Sequence, residues 1–425
     1  MLIYRVKAGD TLFKIAEENG VSVYNILANN GLNLETPLVV GQTLVILAPE
    51  ITHTVKNGET LFQIANEYGL SLNELYRNNP QLGGNDAISP GQSLFISYIG
   101  EKLGNAEITG YAYEFVDLDL FRFQMPYVTH VMPFTYGFTP SGKLIIPDDK
   151  PLLAVAEEYG VVPLLHLSTL TENGNFSNEL AHQILNDETA QENLINNVVD
   201  IINEKEYGGL DIDFEFLPTE DNLKYPALIQ KFRERLNPLG KIVITALAPK
   251  TSAEQKGLLY EGHRYKEIGE ASDMVFLMTY EWGYTYGPPL AVAPIEPVKR
   301  VIEYALTEIP AGKILMGIPN YGYDWTLPFV QGESRAQSIS NVEAVELARR
   351  YGAEILFDEK AKAPHFNYTD ENGREHQVWF EDAESIDAKL RLINQYGLKG
   401  AGYWNLMRPF PENWAVLNKL YNIVQ

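Results

Sequence analysis

The stretch Gly208-Gly209-Leu210-Asp211-Ile212-Asp213-Phe214-Glu215-Phe216 decides the fold, because apolar and acidic residues alternate along it. The side chains of a β-strand point alternately to its two faces. The pattern therefore predicts a strand over 209–216 with one apolar and one acidic face. The apolar face, expected to pack outward against helices, carries Leu210, Ile212, Phe214 and Phe216. The opposite face carries Asp211, Asp213 and Glu215.

Seven further short runs, rich in Val, Ile and aromatic residues, alternate with helical stretches after residue 106. The eight candidate strands are 108–113, 128–136, 161–167, 209–216, 241–248, 274–280, 314–321 and 400–406. Eight strands separated by helices over 106–425 predict an α/β fold, a (β/α)8 TIM barrel. The gap from Asp324 to Leu398 is too long for one helix, and it predicts a small α+β insertion between strands seven and eight, within about 326–398.

The acidic face predicts a catalytic site, because active sites of such barrels form at the carboxyl ends of the strands, where Glu215 lies. Three carboxylates in a barrel lumen repel one another, so we expect them to share protons and the pKa of the outermost group to rise. A glycosidase needs such a protonated carboxylic acid for its leaving oxygen. A calcium loop would need polar residues and a glycine turn instead of Leu, Ile and Phe. A magnesium site without a phosphate-cradling loop and a solvated acidic edge strand are the remaining alternatives.

The first hundred residues contain the same unit twice. Tyr4 to Ala16 reappears as His53 to Ala65 at an offset of 49 residues, and Gly41-Gln42 reappears as Gly91-Gln92. A period of this size marks a duplicated structural unit. Each copy predicts strand, helix, helix and strand. We place repeat one at 1–48 and repeat two at 52–98, with a hinge over 97–105 that leads to the barrel.

Both repeats resemble LysM modules, which bind glycans rich in N-acetylglucosamine. The resemblance implies a ligand groove between the first strand–helix loop and the loop before the last strand. The groove residues would be Gly9, Asp10, Thr11, Leu12 and Asn30 in repeat one, and Gly58, Glu59, Thr60, Leu61 and Asn79 in repeat two. The alternative is that these residues only cap helices and shape turns. Both interpretations hold together if the loop backbone makes the contacts.

The acidic stretch resembles the signature of glycoside hydrolase family 18, Asp-Gly-x-Asp-x-Asp-x-Glu, with Gly208 in place of the first aspartate. That family uses no enzyme nucleophile. The resemblance implies that Glu215 protonates the glycosidic oxygen while the substrate's own N-acetyl oxygen attacks the anomeric carbon. Glu215 then activates water, so configuration is retained. Asp213 would orient the N-acetyl group and Asp211 would share its proton, and the departure at Gly208 bears on the tuning of these pKa values.

Further cleft residues follow from the same resemblance. Met278-Thr279-Tyr280-Glu281 is similar to the family's Met-x-Tyr-Asp, in which the tyrosine hydroxyl binds the N-acetyl oxygen, with Glu281 in place of the aspartate. Trp404 matches the tryptophan that forms the floor under the reacting sugar. Tyr111 and Tyr321 are further candidates to line the cleft. The alternative for each of these side chains is a packing role in the core. We predict no metal or cofactor site, since the seven histidines show no metal-ligand spacing.

Composition argues against several other functions. The formal net charge of −23 would repel nucleic acid and anionic membrane surfaces. The absence of cysteine excludes disulfides, thiolate metal sites and a cysteine nucleophile. The sequence from Met1 to Asp10 has no basic segment followed by an apolar one, so it predicts no signal peptide. No apolar run is long enough to predict membrane insertion.

The combination of LysM-like repeats, a family 18-like barrel and no predicted signal peptide resembles the SleL-type spore cortex-lytic enzymes. It implies an N-acetylglucosaminidase that acts on peptidoglycan, or on another N-acetylglucosamine-containing glycan, during germination. We expect such an enzyme in the spore coat or outer spore layers. Two alternatives stay open: a chitinase, and a lectin-like or coat protein that binds glycan without cutting. Glu215 argues against the second, because non-catalytic relatives typically lose the acid. The sequence predicts no particular oligomeric state.

Overall fold

The computed structural model describes all 425 residues, and its largest part is a closed sheet of eight parallel strands. The strands are Gly104–Tyr113 (β1), His130–Phe134 (β2), Val162–Ser168 (β3), Gly209–Asp213 (β4), Ile242–Leu247 (β5), Met274–Leu277 (β6), Ile314–Pro319 (β7) and Gly400–Trp404 (β8). Each strand pairs with the next, and β8 pairs with β1. The predicted (β/α)8 barrel is therefore confirmed. A short strand, Tyr421–Ile423, pairs with the first residues of β1.

Amphipathic helices cover the outside of the barrel. Ile295–Glu308 is typical, because its buried residues recur three and four positions apart: Ile295, Val298, Val301, Ile302 and Ala305. The other outer helices are Leu118–Gln124, Lys150–Glu158, Asn178–Asn186, Glu188–Glu204, Lys224–Leu236, Tyr265–Ala271, Ala383–Tyr396 and Pro411–Leu420. Every helix of the chain falls short of the length and apolar character that a transmembrane span requires.

The barrel interior holds a second, smaller apolar cluster, because alternate strand residues point inward. Its members are Tyr111, Met132, Leu164, Ile244, Ala246, Met274, Phe276 and Leu315. Phe134, Met278, Tyr280 and Trp404 pack against this cluster and are only partly buried. The mouth of the barrel is therefore a largely aromatic floor at the carboxyl ends of the strands.

Most strands end earlier than the sequence predicts. The predicted strands 209–216, 274–280, 314–321 and 400–406 stop at Asp213, Leu277, Pro319 and Trp404. The chain leaves the sheet because residues beyond these ends turn: Phe216 and Glu281 have φ values of 54° and 67°, in the left-handed region that a strand does not use. The prediction that Phe216 packs outward is therefore wrong, since its side chain is exposed, whereas Leu210, Ile212 and Phe214 are buried as predicted.

The predicted insertion between β7 and β8 is a five-stranded antiparallel sheet with one helix, Asn341–Tyr351. Its strands are Gly322–Thr326, Gln337–Ile339, Leu356–Asp358, Ala363–Thr369 and Glu375–Trp379. The sheet thus starts before residue 326 and ends well before 398. The early start has a structural cause, because a Cβ at Gly322 would lie 2.5 Å from the carbonyl oxygen of Trp379. Only glycine lets the two strands approach so closely. The later part of the predicted range is the outer helix Ala383–Tyr396.

Each N-terminal repeat folds as strand, helix, helix and strand, as predicted. The elements are Leu2–Arg5, Leu12–Asn19, Val23–Asn30 and Thr43–Ile46 in repeat one, and Pro49–Thr54, Leu61–Tyr68, Leu72–Asn78 and Ser93–Tyr98 in repeat two. The two strands of each repeat pair antiparallel. Repeat one has its own apolar core, which includes Leu12 and Ile15. The core of repeat two, including Leu61 and Ile64, is continuous with that of the outer barrel.

The predicted hinge over 97–105 is a fixed linker instead. The Ile99 N–H donates to the Ala48 carbonyl at 3.0 Å, and the Leu103 N–H donates to the Leu420 carbonyl at 2.7 Å. Arg77 of repeat two is buried and donates to the Pro126 carbonyl of the barrel at 2.7 Å. A shared apolar core and these hydrogen bonds hold repeat two against the barrel. Rotation of the repeat would expose apolar side chains to water and leave buried polar groups without partners.

Candidate active site

The three acidic residues of the stretch 208–216 lie near the end of β4 and just beyond it. Asp211 is fully buried within the strand and sits opposite His166 of β3. Asp213 is the last residue of β4, opposite Ser168, and Glu215 follows two residues later. The charges of Glu215 and Asp211 both raise the pKa of Asp213. The structure thus brings together the three carboxylates that the alternating pattern predicted on one face.

A buried histidine supports the innermost carboxylate. The His166 Nδ1 lies 2.9 Å from Asp211 Oδ2, and neither side chain is exposed. The His166 ring stacks on Phe134 with 4.7 Å between ring centroids, and its Nε2 has no hydrogen-bond partner in the protein. A neutral ring that donates its Nδ1–H to Asp211 fits this geometry, because a protonated ring would bury a second, unpaired N–H.

The two outer carboxyl groups hold protons more tightly than ordinary carboxylates. Burial raises the pKa of Asp213 well above its usual range, and the neighbouring charges add to this. Burial also raises the pKa of Glu215 to about 7, with the charge of Glu281 as the second cause. The predicted rise at Glu215 is present, but loss of solvent contributes more than repulsion between carboxylates. Glu215 is therefore protonated at pH values below about 7.

The backbone that carries Glu215 is clamped between β4 and β5. Phe214 is buried, and its ring stacks on Tyr225 with 5.4 Å between centroids. The Ala248 N–H donates to His263 Nδ1 at 2.9 Å, so the Nε2 carries the hydrogen and donates to the Phe214 carbonyl at 2.9 Å. Burial lowers the pKa of His263 to about 4, which keeps this ring neutral. His263 escaped prediction because a lone histidine in a loop has no distinguishing sequence pattern.

The segment after β6 adds a phenol and a fourth carboxylate. Burial, followed by the charge of Asp213, raises the pKa of Tyr280 well above its usual range, so the hydroxyl remains a hydrogen-bond donor. Met278 packs against the interior cluster beneath. Glu281 is exposed, and its Oε1 accepts hydrogen bonds from the hydroxyls of Tyr321 and Tyr323, both at 3.0 Å. Tyr323 belongs to the insertion, and no sequence motif pointed to it.

Three predicted aromatic residues have different environments. Trp404 ends β8, is half-buried and packs on Phe134 at 4.9 Å between centroids, so part of its ring is open to the mouth. Tyr111 and Tyr321 are only 3% and 5% exposed. Tyr111 packs edge-on against Trp404, and Tyr321 donates to Glu281. Each thus contacts another residue of the mouth, and the expectation that the two tyrosines line the cleft stays a prediction.

This arrangement suits acid-catalysed cleavage of a glycosidic bond. A carboxyl group that is protonated near neutral pH can donate a proton to an ether oxygen. Buried carboxylates stabilise positive charge that develops beside them, and a fixed phenol hydroxyl stabilises an oxygen that gains charge. An aromatic ring that is open on one face suits the apolar face of a sugar. The mouth therefore combines an acid, a charge stabiliser, a donor and a platform.

The side chains of most of the predicted groove residues in the repeats stabilise the loops instead of projecting into solvent. Four are buried, namely Leu12, Asn30, Leu61 and Asn79. The Asn30 and Asn79 amides bond to the backbone of Val45 and Phe95 in the last strands. Thr11 and Thr60 cap helices, and the carboxylates of Asp10 and Glu59 accept the N–H groups of Lys7 and Lys56. Gly9 and Gly58 are exposed, and a Cβ at either position would have no neighbouring atom within 4 Å. The loop backbone thus remains open.

Comparison with known proteins identifies the parts of the chain. Residues 124–408 match glycosyl hydrolases family 18, and residues 4–47 and 53–97 match the LysM domain. The chain is 42% identical over 436 residues to the cortical fragment-lytic enzyme of Bacillus subtilis strain 168, with 100% of this chain and 99% of that protein covered.

Two crystal structures resemble the whole chain. The spore cortex-lytic enzyme SleL of Bacillus megaterium QM B1551 is 39% identical with a TM-score of 0.84, and the match covers 99% of this chain and 98% of that one. The corresponding enzyme SleL of Bacillus cereus is 36% identical with a TM-score of 0.85, and the match covers 100% and 98%. Barrel, acidic stretch and repeats therefore agree: the chain belongs to glycosyl hydrolase family 18 and carries two LysM domains ahead of its catalytic barrel.

Proposed function

We propose that this glycoside hydrolase is an N-acetylglucosaminidase that cleaves peptidoglycan of the bacterial spore cortex. The observation that carries the proposal is the position of Glu215 just beyond the end of β4, where Asp213 and Tyr280 lie close by and burial raises the pKa of its carboxyl group to about 7. The choice of substrate is supported by a relative that matches over the full length and is named a cortical fragment-lytic enzyme. The LysM domains support the same choice, because cortex is an insoluble glycan that contains N-acetylglucosamine.

In the first step, the protonated Glu215 donates its proton to the glycosidic oxygen. The bond from that oxygen to the anomeric carbon breaks as the N-acetyl oxygen of the same sugar attacks from the other face. The product is a cyclic oxazolinium ion, so no enzyme nucleophile is needed. Asp213 shares its proton with Asp211, so that it can accept a hydrogen bond from the N-acetyl N–H and stabilise the positive charge, while the Tyr280 hydroxyl donates to the N-acetyl oxygen. Trp404 forms the platform under the sugar.

In the second step, Glu215 is a carboxylate and acts as a base. It takes a proton from water, the water oxygen bonds to the anomeric carbon, and the oxazolinium ring opens. Glu215 regains its proton, and two inversions leave the configuration retained. Asp211, held by His166, keeps Asp213 in place and lowers the cost of its proton changes. The mechanism requires an N-acetylated sugar on the non-reducing side of the bond that is cut.

The repeats would keep the enzyme on its insoluble substrate. A surface that binds N-acetylglucosamine-containing strands raises the local concentration of glycan at the barrel mouth. This role fits a protein of the spore coat or outer spore layers that meets cortex glycan during germination. The formal net charge of −23 gives nucleic acid no electrostatic reason to bind.

The experiment is digestion of purified soluble cortex fragments by the wild type and by Glu215→Gln, followed by mass spectrometry of the products. We expect new N-acetylglucosamine reducing ends from the wild type only. An N-acetylglucosamine hexamer serves as the second substrate. Faster turnover of the hexamer than of cortex fragments would favour a chitinase. Binding without cleavage by the wild type would contradict the proposal and identify a glycan-binding coat protein.

A further inference from the structure

The two repeats share a fold but differ in the loop before their last strand. Repeat one has Val39-Val40-Gly41-Gln42 where repeat two has Ser89-Pro90-Gly91-Gln92. The backbone is the same, because both glycines have a φ of 87°. The Gly41 N–H donates to the Val6 carbonyl at 2.9 Å, and the Gly91 N–H donates to the Val55 carbonyl at 2.8 Å. The difference therefore lies in the side chains and in what surrounds the loop.

In repeat one, this loop is covered by the insertion. The Ile355 N–H donates to the Val40 carbonyl at 3.0 Å, and a Cβ at Gly41 would lie 1.8 Å from the Ile355 carbonyl oxygen. Val39 is 5% exposed and belongs to the apolar core of the insertion rather than to the core of its own repeat. The Arg349 guanidinium adds a hydrogen bond to the Pro37 carbonyl at 3.0 Å. The loop is an intramolecular contact surface.

In repeat two, the same loop end is open. Ser89, Pro90 and Gly91 are exposed, and nothing lies within 4 Å of a Cβ position at Gly91. Repeat two touches the barrel with the opposite end of the loop, where the Gly84 carbonyl accepts a hydrogen bond from the Tyr159 hydroxyl at 2.6 Å. The bond from Gly91 to Val55 places the open end beside the first strand–helix loop, which is exposed at Lys56, Asn57 and Gly58.

We propose that the two repeats have different tasks. Repeat two binds an N-acetylglucosamine-containing strand between the loop over 56–60 and the loop over 87–91, whose backbone N–H and carbonyl groups suit the amide and hydroxyl groups of the sugar. Repeat one is a brace, because the insertion packs against the equivalent loop at Val40 and Gly41. The assignment of a glycan to repeat two rests on the proposed function, whereas the brace does not.

The brace has a direct connection to the barrel mouth. The insertion supplies Tyr323, whose hydroxyl donates to Glu281, and the charge of Glu281 acts on Glu215. Tyr323 and Trp325 belong to an apolar cluster against which Tyr280 and Trp404 pack. Movement of the insertion would therefore disturb both the acid and the platform. Repeat one holds the insertion from the side away from that cluster, through Val39 and Ile355.

The binding half is tested with the matched pair Ala8→Trp and Asn57→Trp in the full chain. The two positions are equivalent and exposed, one in the first loop of each repeat. Both variants carry Glu215→Gln to prevent hydrolysis, and adsorption to insoluble chitin is measured. We expect Asn57→Trp to weaken adsorption about tenfold and Ala8→Trp to change it by less than about twofold. Equal losses, or no loss with Asn57→Trp, would overturn this assignment. Cleavage of soluble cortex fragments by the wild type is scored separately, so failure of the proposed function is distinguishable.

The brace is tested with Val39→Asp and with the control Val342→Asp, which makes the same change at an exposed valine on the insertion helix. Val39→Asp buries a charge against the insertion, so amide hydrogen exchange over Ala363–Thr369 should become several-fold faster and turnover of soluble fragments should fall. Repeat one should still fold, since Val39 is not part of its core. Val342→Asp should change neither quantity, because its side chain is exposed. If Val39→Asp does not fold, the milder Val39→Ala replaces it. Amide hydrogen exchange over the same strand should then also become faster. Unchanged exchange in a folded Val39 variant would overturn the brace.

Discussion

The barrel mouth and the loops of the repeats are both proposed to face glycan, yet they are built in opposite ways. At the mouth, Asp213 and Glu215 are partly buried, and burial raises their pKa values. In the repeats, the carboxylates of Asp10 and Glu59 bind their own loops, and their pKa values are lowered by backbone hydrogen bonds. Chemistry needs side chains with altered acidity, whereas adhesion needs a surface of the right shape. Single substitutions should therefore act strongly on turnover at the mouth, whereas in the repeats only those at the contact of repeat one with the insertion should lower it.

The largest effect is expected from Glu215→Gln, because an amide cannot donate the proton that the leaving oxygen needs. Loss of a general acid lowers turnover about 100-fold to 10,000-fold. Initial rates on soluble cortex fragments measure this loss. The control is Glu220→Gln, which changes an exposed carboxylate on the same loop and should leave the rate unchanged. Similar rates for the two variants would contradict the assignment of the acid.

The next effect is expected from Tyr280→Phe, which removes one hydroxyl donor and keeps the ring. Removal of a donor that stabilises developing charge lowers turnover about 100-fold. Tyr284→Phe is the matched control, because that tyrosine lies four residues later and is 40% exposed. A KM increase without a change in kcat would show that Tyr280 only binds substrate, and it would remove the tyrosine from the proposed mechanism.

In the repeats, core substitutions should change stability and leave turnover on soluble fragments intact. Leu12→Ala and Leu61→Ala occupy equivalent positions and should each cost about 2–5 kcal/mol. Leu12 lies in the separate core of repeat one, whereas Leu61 lies in the core shared with the barrel. Calorimetry should therefore show an early, separate transition for Leu12→Ala and a lower main transition for Leu61→Ala. Identical thermograms would mean that the two repeats are coupled to the barrel in the same way.

The smallest effect concerns the pH dependence at the mouth. Glu215 must be protonated to act as an acid, so kcat/KM of the wild type should fall as the pH rises through about 7. Glu281→Gln removes a negative charge that raises the pKa of Glu215. The alkaline limb of the plot of kcat/KM against pH should therefore move to lower pH. The shift should be small because burial, the first cause, is unchanged. A limb that stays in place or moves to higher pH would show that Glu281 does not act on Glu215.

The barrel and its acidic site could be predicted because both depend on local patterns. Alternation along 208–216 predicts three carboxylates on one side of the chain, and in the structure Asp211 and Asp213 lie on β4 while Glu215 follows it. The strand ends could not be predicted, since the turns at Phe216 and Glu281 use left-handed backbone that neither residue type indicates. The supporting roles of Tyr111, Tyr321 and His263 depend on partners that are distant in sequence. These contacts appear only once the barrel has closed.

In the repeats too, the internal fold could be predicted from the sequence and the contacts with other parts of the chain could not. Their internal fold follows from caps and periodicity, and both copies form as predicted. Their docking does not follow, because the residues that decide it look ordinary: Val39 is one apolar residue in a loop, and Arg77 is one cation on a helix. Composition favours a hinge between repeat two and the barrel, but Leu103 and Arg77 are held by the barrel. Contacts between separately folded units leave no periodic pattern in the sequence, so they could not be predicted from it.

We propose that the N-acetyl group of the substrate is the nucleophile and that Glu215 is the acid, and the anomeric form of the first product tests both. Proton NMR at the start of digestion records the anomer of the first sugar released from β-linked cortex fragments. We expect the β-anomer to appear first and to mutarotate afterwards, and we expect fragments without the N-acetyl group at the cleavage site not to be cut. Initial release of the α-anomer, or cleavage of the deacetylated fragments at a similar rate, would contradict the proposal.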